Sequence, residues 1–219
     1  MARLGHLFVV AYGRSGSTLV QAVLNAMPGV CVRGENNLAI QHVYRFWRTL
    51  RTAQREFGER YDQANQPWHG IAQVDADAAA QAIAAQFDRY VLNAPEDAEW
   101  LGFKEIRYHE ANDIETADLL SFIDQFFANS RFVFVCREPA DVARSSWWRR
   151  QQRETAVSLI SRLNAEHIRL HKLWPDRSCV IDYDELAENS DEAAKLFTLI
   201  GRSYDRDLVR TVLNIRLTH

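Results

Sequence analysis

Cysteine is scarce in this sequence. The chain holds three, Cys31, Cys136 and Cys179, far apart and without a Cys-x-x-Cys pair. An odd, dispersed set excludes a disulfide framework and the spacing of a structural zinc site, and it suits a reducing compartment. Long apolar runs are missing as well. The longest are strand-sized, such as residues 7–11, so neither a secretory leader nor a membrane span is read. No charge sign dominates: 26 basic residues against 29 acidic ones leave a net charge of −3. Nothing global therefore points to nucleic acid or to an acidic membrane, and any anion must be held by local charge. With no anchor visible, a cytoplasmic location is expected. An upstream segment, and completeness at the C-terminus, are left open.

What is present is ordinary for a globular chain: 47% hydrophobic and 25% charged residues over 219 positions. That length suits one α/β domain with a sizeable core. Residues 7–11 (LFVVA) read as a buried strand, followed by a polar glycine and serine turn. Leu19, Val23, Leu24 and Met27 then fall at helical spacing, stopped by Pro28-Gly29. Residues 30–32 form a second strand candidate, and a long helix is predicted over about 38–60. Seven alanines in ten residues make 76–85 a helix by propensity. Further strands are expected at 100–106, 131–136 and 179–181. Helices are expected at about 116–128, 140–150, 155–173, 191–200 and 205–215. Strands alternating with helices predict a mostly parallel sheet covered on both faces. Residues 38–95 read as a helical insertion in a single domain spanning 1–219.

In such a sheet, ligands sit at the carboxyl ends of the strands. The segment Gly13-Arg14-Ser15-Gly16-Ser17-Thr18 lies there, between the first strand and a helix. Helix N–H groups, the Arg14 charge and three hydroxyls together make an anion cradle for phosphate or sulfate. A turn in which Ser15 or Ser17 merely caps the helix fits the same residues. The loop is not the nucleotide triphosphate motif G-x-x-x-x-G-K-[ST], because Gly16 is followed by Ser17 rather than lysine.

A second basic segment follows the strand 131–136. Arg137-Glu138-Pro139 comes directly after it, Ser145 eight residues past Arg137, and Arg149 four further on. On a continuous helix, Asp141, Ser145 and Arg149 share one face. Residues 131–153 hold six arginines against two acids in an otherwise acidic chain. A solvated basic helix face and a second anion site both fit.

Taken together, the motif Tyr12-Gly13-Arg14-Ser15-Gly16-Ser17-Thr18-Leu19 resembles the 5′-phosphosulfate loop of sulfotransferases. The likeness is greatest to the branch of tyrosylprotein and bacterial carbohydrate sulfotransferases. Strand, Arg-x-Pro and a serine at plus eight resemble the 3′-phosphate motif of the same family. The resemblance implies that Arg137 and Ser145 grip the 3′-phosphate of 3′-phosphoadenylyl sulfate, with Arg149 beside them. It implies that Arg14, Ser15, Gly16, Ser17 and Thr18 hold the 5′-phosphosulfate. The stretch Asp182-Tyr183-Asp184-Glu185-Leu186 also resembles the family, with Tyr183 either touching the nucleotide or packing the strand end. The likeness is thin between 40 and 95.

Sulfuryl transfer needs a base for the acceptor hydroxyl and a cation at the leaving oxygen. Glu35, at the end of the second strand, is the expected base. Gly34-Glu35 matches the family's Gly-Glu, and burial is expected to raise its pKa. Asn36-Asn37 departs from the tyrosylprotein pattern, which argues against a peptide acceptor. Lys104 is the expected leaving-group cation, with Arg14 sharing the role; a simple surface pair of Lys104 with Glu105 or Glu110 fits the same residues. His109 is the reserve base. His167 and His171 stand four apart but lack the glutamate of a zinc motif, and no metal is expected. Trp147 and Trp148 either stack on the adenine or pack a helix on the sheet.

The reading is thus a three-layer α/β fold of the P-loop type. The expected activity is a sulfotransferase using 3′-phosphoadenylyl sulfate (PAPS) and an unidentified hydroxyl acceptor, a carbohydrate, a phenol, a lipid or a peptide tyrosine, with no nucleic acid partner. The rivals are a P-loop kinase using ATP, in which Asp182 would bind the metal, and a nucleotide-binding protein without catalysis.

Overall fold

A computed structural model describes residues 3–61 and 63–215. Five strands form one sheet: β1 (Gly5–Val10), β2 (Val30–Arg33), β3 (Trp100–Glu105), β4 (Ser130–Cys136) and β5 (Ser178–Asp182). Their order is β2-β3-β1-β4-β5, and every neighbouring pair is parallel. β1 therefore lies at the centre, with Val9 opposite Lys104 of β3 and Val133 of β4. A strand covered on both faces is mostly apolar, and all six residues of β1 are buried, including His6, whose ring nitrogens bond the Ala128 carbonyl and Asp88.

Alternation along β1 divides the core in two. Phe8 and Val10 join a cluster under α2 (Ile40–Phe57), α3 (Ala76–Gln86), α4 (Thr116–Phe126) and α6 (Arg153–His171). Leu7, Val9 and Ala11 point to the other face. There they meet α1 (Ser17–Ala26), α8 (Ala194–Leu199) and α9 (Arg206–Leu213). Helix layers on both faces of a parallel sheet give the three-layer arrangement that the alternating pattern predicts. Between β2 and β3 the chain makes α2, α3 and a π-helical turn over Phe87–Leu92. Among the described residues, no helix is long and apolar enough to cross a membrane.

Two predicted helices are broken. Residues 140–150 do not form a continuous helix. They divide into α5 (Pro139–Ala143) and a 3-10 turn over Ser146–Arg150. Ser145 is extended and Ser146 takes a positive φ of 48°. The expected shared face of Asp141, Ser145 and Arg149 therefore does not exist. The predicted helix 191–200 is likewise a 3-10 turn followed by α8. The remaining short helix, α7 (Tyr183–Glu188), starts directly after β5.

Candidate active site

The loop between β1 and α1 depends on its backbone. Arg14 has φ 70° and Gly16 has φ 90°, two left-handed residues that turn the chain sharply into the helix. Gly16 is the N-cap of α1, and no side chain caps that helix. The reading of the loop as a serine-capped turn is thereby corrected. Instead the uncapped first turn faces a cavity of ≈ 560 Å³, with Gly16, Ser17 and Thr18 in its wall. Ser15 is fully buried, and its Oγ has no hydrogen-bond partner among the described residues.

Glycine is required at position 16 by contact as well as by φ. A Cβ there would lie 1.8 Å from Cδ2 of the Tyr183 ring. Tyr183, first residue of α7, thus packs directly on the loop and also lines the cavity. Gly13 is covered similarly. A Cβ would meet Trp147 Cζ2 at 2.3 Å, and Trp148 Nε1 donates to the Gly13 carbonyl at 2.9 Å. Trp148 is buried against Tyr12, Val142, Ala156 and Ile160, so of its two readings it is the packing residue. Trp147 is half exposed and lines the cavity.

The second basic segment meets this loop. Arg137 follows β4, and its Nη1 donates to the Arg14 carbonyl at 3.1 Å. The Arg14 side chain returns the contact, its Nε donating to Ser145 Oγ at 3.0 Å. Arg137 also lies 4.3 Å over the Tyr183 ring and 3.6 Å from Asp184. Its backbone is held by Tyr12, which the sequence offered only as the first residue of the loop motif, and by Asn164, which sequence reading passed over. The Arg137 N–H donates to Tyr12 Oη at 3.1 Å, and Asn164 Nδ2 donates to its carbonyl at 2.9 Å. Tyr12 Oη in turn donates to Asn164 Oδ1 at 2.7 Å. Only long-range pairing carries this network, so no local pattern reveals it.

Glu35 stands past the end of β2, opposite Lys104 near the end of β3. Lys104 Nζ donates to Glu35 Oε1 at 2.6 Å, and Arg107 Nη1 donates to Glu35 Oε2 at 2.7 Å. Lys104 is almost wholly buried, whereas the Glu35 side chain is 31% exposed. The expected raised pKa is reversed. Partial burial pushes the Glu35 carboxyl up, but hydrogen bonds and charge from Lys104 and Arg107 outweigh it and leave it below its ordinary value. Beneath the pair sits Glu105, fully buried, so it is not the surface partner of Lys104 that the sequence also allowed. Its carboxylate accepts from the N–H of Leu38 at 2.6 Å and of Asn36 at 3.2 Å, and from Arg107 at 3.1 Å. Asn37 and Leu38 have positive φ values of 57° and 52°. Glu105 fixes this strained turn directly after Glu35.

Arg14, Gly16, Ser17, Thr18, Glu35, Lys104, Arg137 and Tyr183 therefore line one cavity. Its other walls include apolar Leu19, Ile106, Ala187, Leu213 and Ile215. Ser145 is tied to it through Arg14. Arg149 lies outside, exposed, with its Nε donating to the Ser146 carbonyl at 3.4 Å. His109 is not among the lining residues, and burial holds its pKa below the ordinary histidine value. His167 and His171 serve separate partners, the Val135 carbonyl and Ser178 Oγ. Among the described residues, no group of three or more His, Cys, Asp or Glu is placed to hold a metal. Asp182 spends its carboxylate as the N-cap of α7, accepting from Asp184 N at 2.9 Å and Glu185 N at 3.3 Å.

Three cations and an uncapped helix start face one cavity with one carboxylate at its edge, an arrangement chemically able to hold a polyanion. Residues 6–206 match the profile of the sulfotransferase family. No curated protein matches. Two solved structures are similar to the chain. One is the sulfotransferase domain of the olefin synthase of Synechococcus PCC 7002, at 18% identity and TM-score 0.56. The other is the sulfotransferase domain from the curacin biosynthetic pathway, at 18% identity and TM-score 0.57. In each case 95% of this chain aligns with 77% of that chain. At such identity the likeness is one of fold.

Proposed function

The chain belongs to the sulfotransferase family, and from that premise we propose that it moves a sulfuryl group from PAPS to an acceptor hydroxyl by in-line displacement. One observation carries the reading of the donor: Arg14, Lys104 and Arg137 face the same cavity as the uncapped start of α1. That donor set fits a ligand with two separated phosphate groups, and Ser15 Oγ is a buried hydroxyl still lacking a partner.

PAPS, as the donor substrate, supplies an activated sulfuryl group on its 5′-phosphate. In this reading Gly16, Ser17 and Thr18 hold the 5′-phosphosulfate through backbone and hydroxyl donors. Arg137 and Ser145 hold the 3′-phosphate, and Tyr183 packs beside the nucleotide. Arg149, remote from the cavity wall, is dropped from the set. Lys104 and Arg14 neutralise charge growing on the leaving phosphate oxygen. Glu35 takes the proton of the acceptor hydroxyl as that oxygen bonds to sulfur and the bond from sulfur to the phosphate oxygen breaks. The products are a sulfate ester and adenosine 3′,5′-bisphosphate. A carboxylate held below its ordinary pKa is ionised throughout the neutral range and so stands ready to accept.

Calorimetric titration without Mg²⁺ tests the donor assignment. Adenosine 3′,5′-bisphosphate is expected to bind in the micromolar range, ATP much more weakly, and Arg137→Ala to abolish the bisphosphate signal. Tight Mg²⁺-dependent ATP binding with no response to the bisphosphate overturns it in favour of a kinase.

A further inference from the structure

Asn164 stands near the middle of α6, on the face that packs against β4, four residues after buried Ile160 and three before buried His167. That face calls for an apolar residue, and asparagine is a poor helix former. A polar side chain there is unfavourable unless both ends of its amide are paired. Both ends serve one target. Nδ2 donates to the Arg137 carbonyl at 2.9 Å, and Oδ1 accepts from Tyr12 Oη at 2.7 Å. The same Tyr12 oxygen accepts from the Arg137 N–H at 3.1 Å. Arg137 is thus held at its N–H and at its carbonyl by one amide and one phenol.

Tyr12 is a fixed reference for this grip. It is fully buried, and its ring stacks on His167 with centroids 5.8 Å apart. Its backbone pairs with Arg107, the partner of Glu35, in an isolated antiparallel bridge. Burial pushes its phenol well above the ordinary value, so Oη keeps its proton and can donate to Asn164 while accepting from Arg137.

What is fixed is the direction of one guanidinium. Arg137 commits Nη1 to the Arg14 carbonyl, and its Nε and Nη2 make no hydrogen bond among the described residues. Nε and Nη2 form one edge of the planar group, an edge able to grip a phosphate with two parallel bonds. Arg137 lines the large cavity, and Asp184 waits 3.6 Å from Nε. A two-bond grip is sensitive to direction, so a shift of the Arg137 backbone would turn the edge aside or yield it to Asp184.

We propose that Asn164, with Tyr12 as its bridge, is a positioning residue that aims Arg137 and so sets the preference for a nucleotide bearing a 3′-phosphate. This rests on the donor reading above, in which Arg137 holds that phosphate.

The test compares two ligands that differ only in the 3′-phosphate, adenosine 3′,5′-bisphosphate and adenosine 5′-phosphate, by calorimetry of the full chain without Mg²⁺. Asn164→Leu keeps the branched shape and Tyr12→Phe keeps the ring, and each removes the polar contact. Each is expected to weaken the bisphosphate about tenfold and the monophosphate less than about twofold. The double variant should lose no more than about the larger single loss, because the two groups act through one chain of bonds. Equal losses for both ligands, or unchanged bisphosphate affinity in both variants, overturn the proposal and leave the donor reading standing. A variant that does not fold is judged by the other, and failure of both to fold assigns the pair to stability and overturns the proposal as well. A parent protein that binds the two ligands alike, or neither, brings down the donor reading and this one with it.

Discussion

Arg14 and Ser145 are 131 residues apart in the chain and joined by a 3.0 Å hydrogen bond from guanidinium Nε to hydroxyl Oγ. The loop between β1 and α1 and the second basic segment are thus joined as one unit, closed by a reciprocal bond from Arg137 to the Arg14 carbonyl. Removing the hydroxyl frees Arg14 as well as deleting a donor. Ser145→Ala is expected to weaken adenosine 3′,5′-bisphosphate binding by about tenfold or more, because a charge-assisted hydrogen bond contributes about 1.5–3 kcal/mol. Calorimetry reads this directly. Unchanged affinity would show that the serine serves only the loop's packing.

Lys104 separates binding from turnover. Lys104→Ala is expected to lower kcat by about 10²- to 10³-fold, the loss typical of one donor aimed at developing charge. Bisphosphate affinity should change much less, since that ligand lacks the sulfuryl group. Single-turnover kinetics beside calorimetry makes the comparison. Equal losses in both would assign Lys104 to ground-state binding.

The Glu35 pair predicts a pH signature in stability. The folded carboxyl titrates below its ordinary value, so its ion pairs stabilise the fold above the ordinary carboxylate pKa. That contribution is lost as pH falls through the lower, folded value. Glu35→Gln should therefore be less stable than the parent at pH 7, and the difference should shrink toward pH 3. Urea unfolding at both pH values checks it. A difference independent of pH would mean that Glu35 acts through shape alone. Activity of Glu35→Gln should fall by about 10²- to 10⁴-fold at pH 7 if the residue is the base.

His167 adds acid sensitivity in the same direction from a different cause. Burial lowers its pKa from 6.5 to about 4, and its Nδ1 can only donate to the Val135 carbonyl it faces. The unfolded chain binds this proton first, so stability is present above pH 6.5 and falls as pH drops toward 4. Over that window the loss is on the order of 3 kcal/mol. His167→Leu should flatten the acid limb of a stability–pH curve, whatever it does to stability at pH 7. An unchanged slope would place the acid sensitivity elsewhere.

Glu105→Ala should uncouple the turn after Glu35. The Leu38 N–H, buried with its residue, would lose its acceptor, at a cost of about 2 kcal/mol. Thermal stability and kcat are expected to fall together, because the two left-handed residues then lack their anchor. A full loss of stability with normal kcat would disconnect the turn from the chemistry.

Much of the fold was legible because its strands are apolar runs. Residues 7–11 and 131–136 predict buried strands, and β1 and β4 are buried almost throughout. The break at Ser145-Ser146 was not legible. Neither proline nor glycine marks it, and Ser146 takes its left-handed turn under tertiary packing of Trp148 beneath the loop. Arg14, Lys104, Glu35 and Arg137 were readable as strand-end residues, since a parallel sheet brings its carboxyl ends to one edge. What each touches was not. Glu105 reads as an ordinary acid beside a lysine, yet it alternates away from Lys104 and supports a turn 67 residues back in the chain. The Glu35 pKa was misjudged for the same reason: burial was foreseen, but not two cations within hydrogen-bond distance.

The position of β1 has a consequence for biosynthesis. This strand is made first but is central, and both of its partners, β3 at 100–105 and β4 at 130–136, are made much later. During translation this six-residue segment, apolar from Leu7 onward and with open edges, must wait for more than half the chain. Such a segment is prone to pair with a neighbour's strand, and long-range parallel pairing is slow. The newborn chain therefore depends on early shielding of residues 5–10, by a chaperone or by the helices α1 and α2 that follow closely, before any site exists to be occupied.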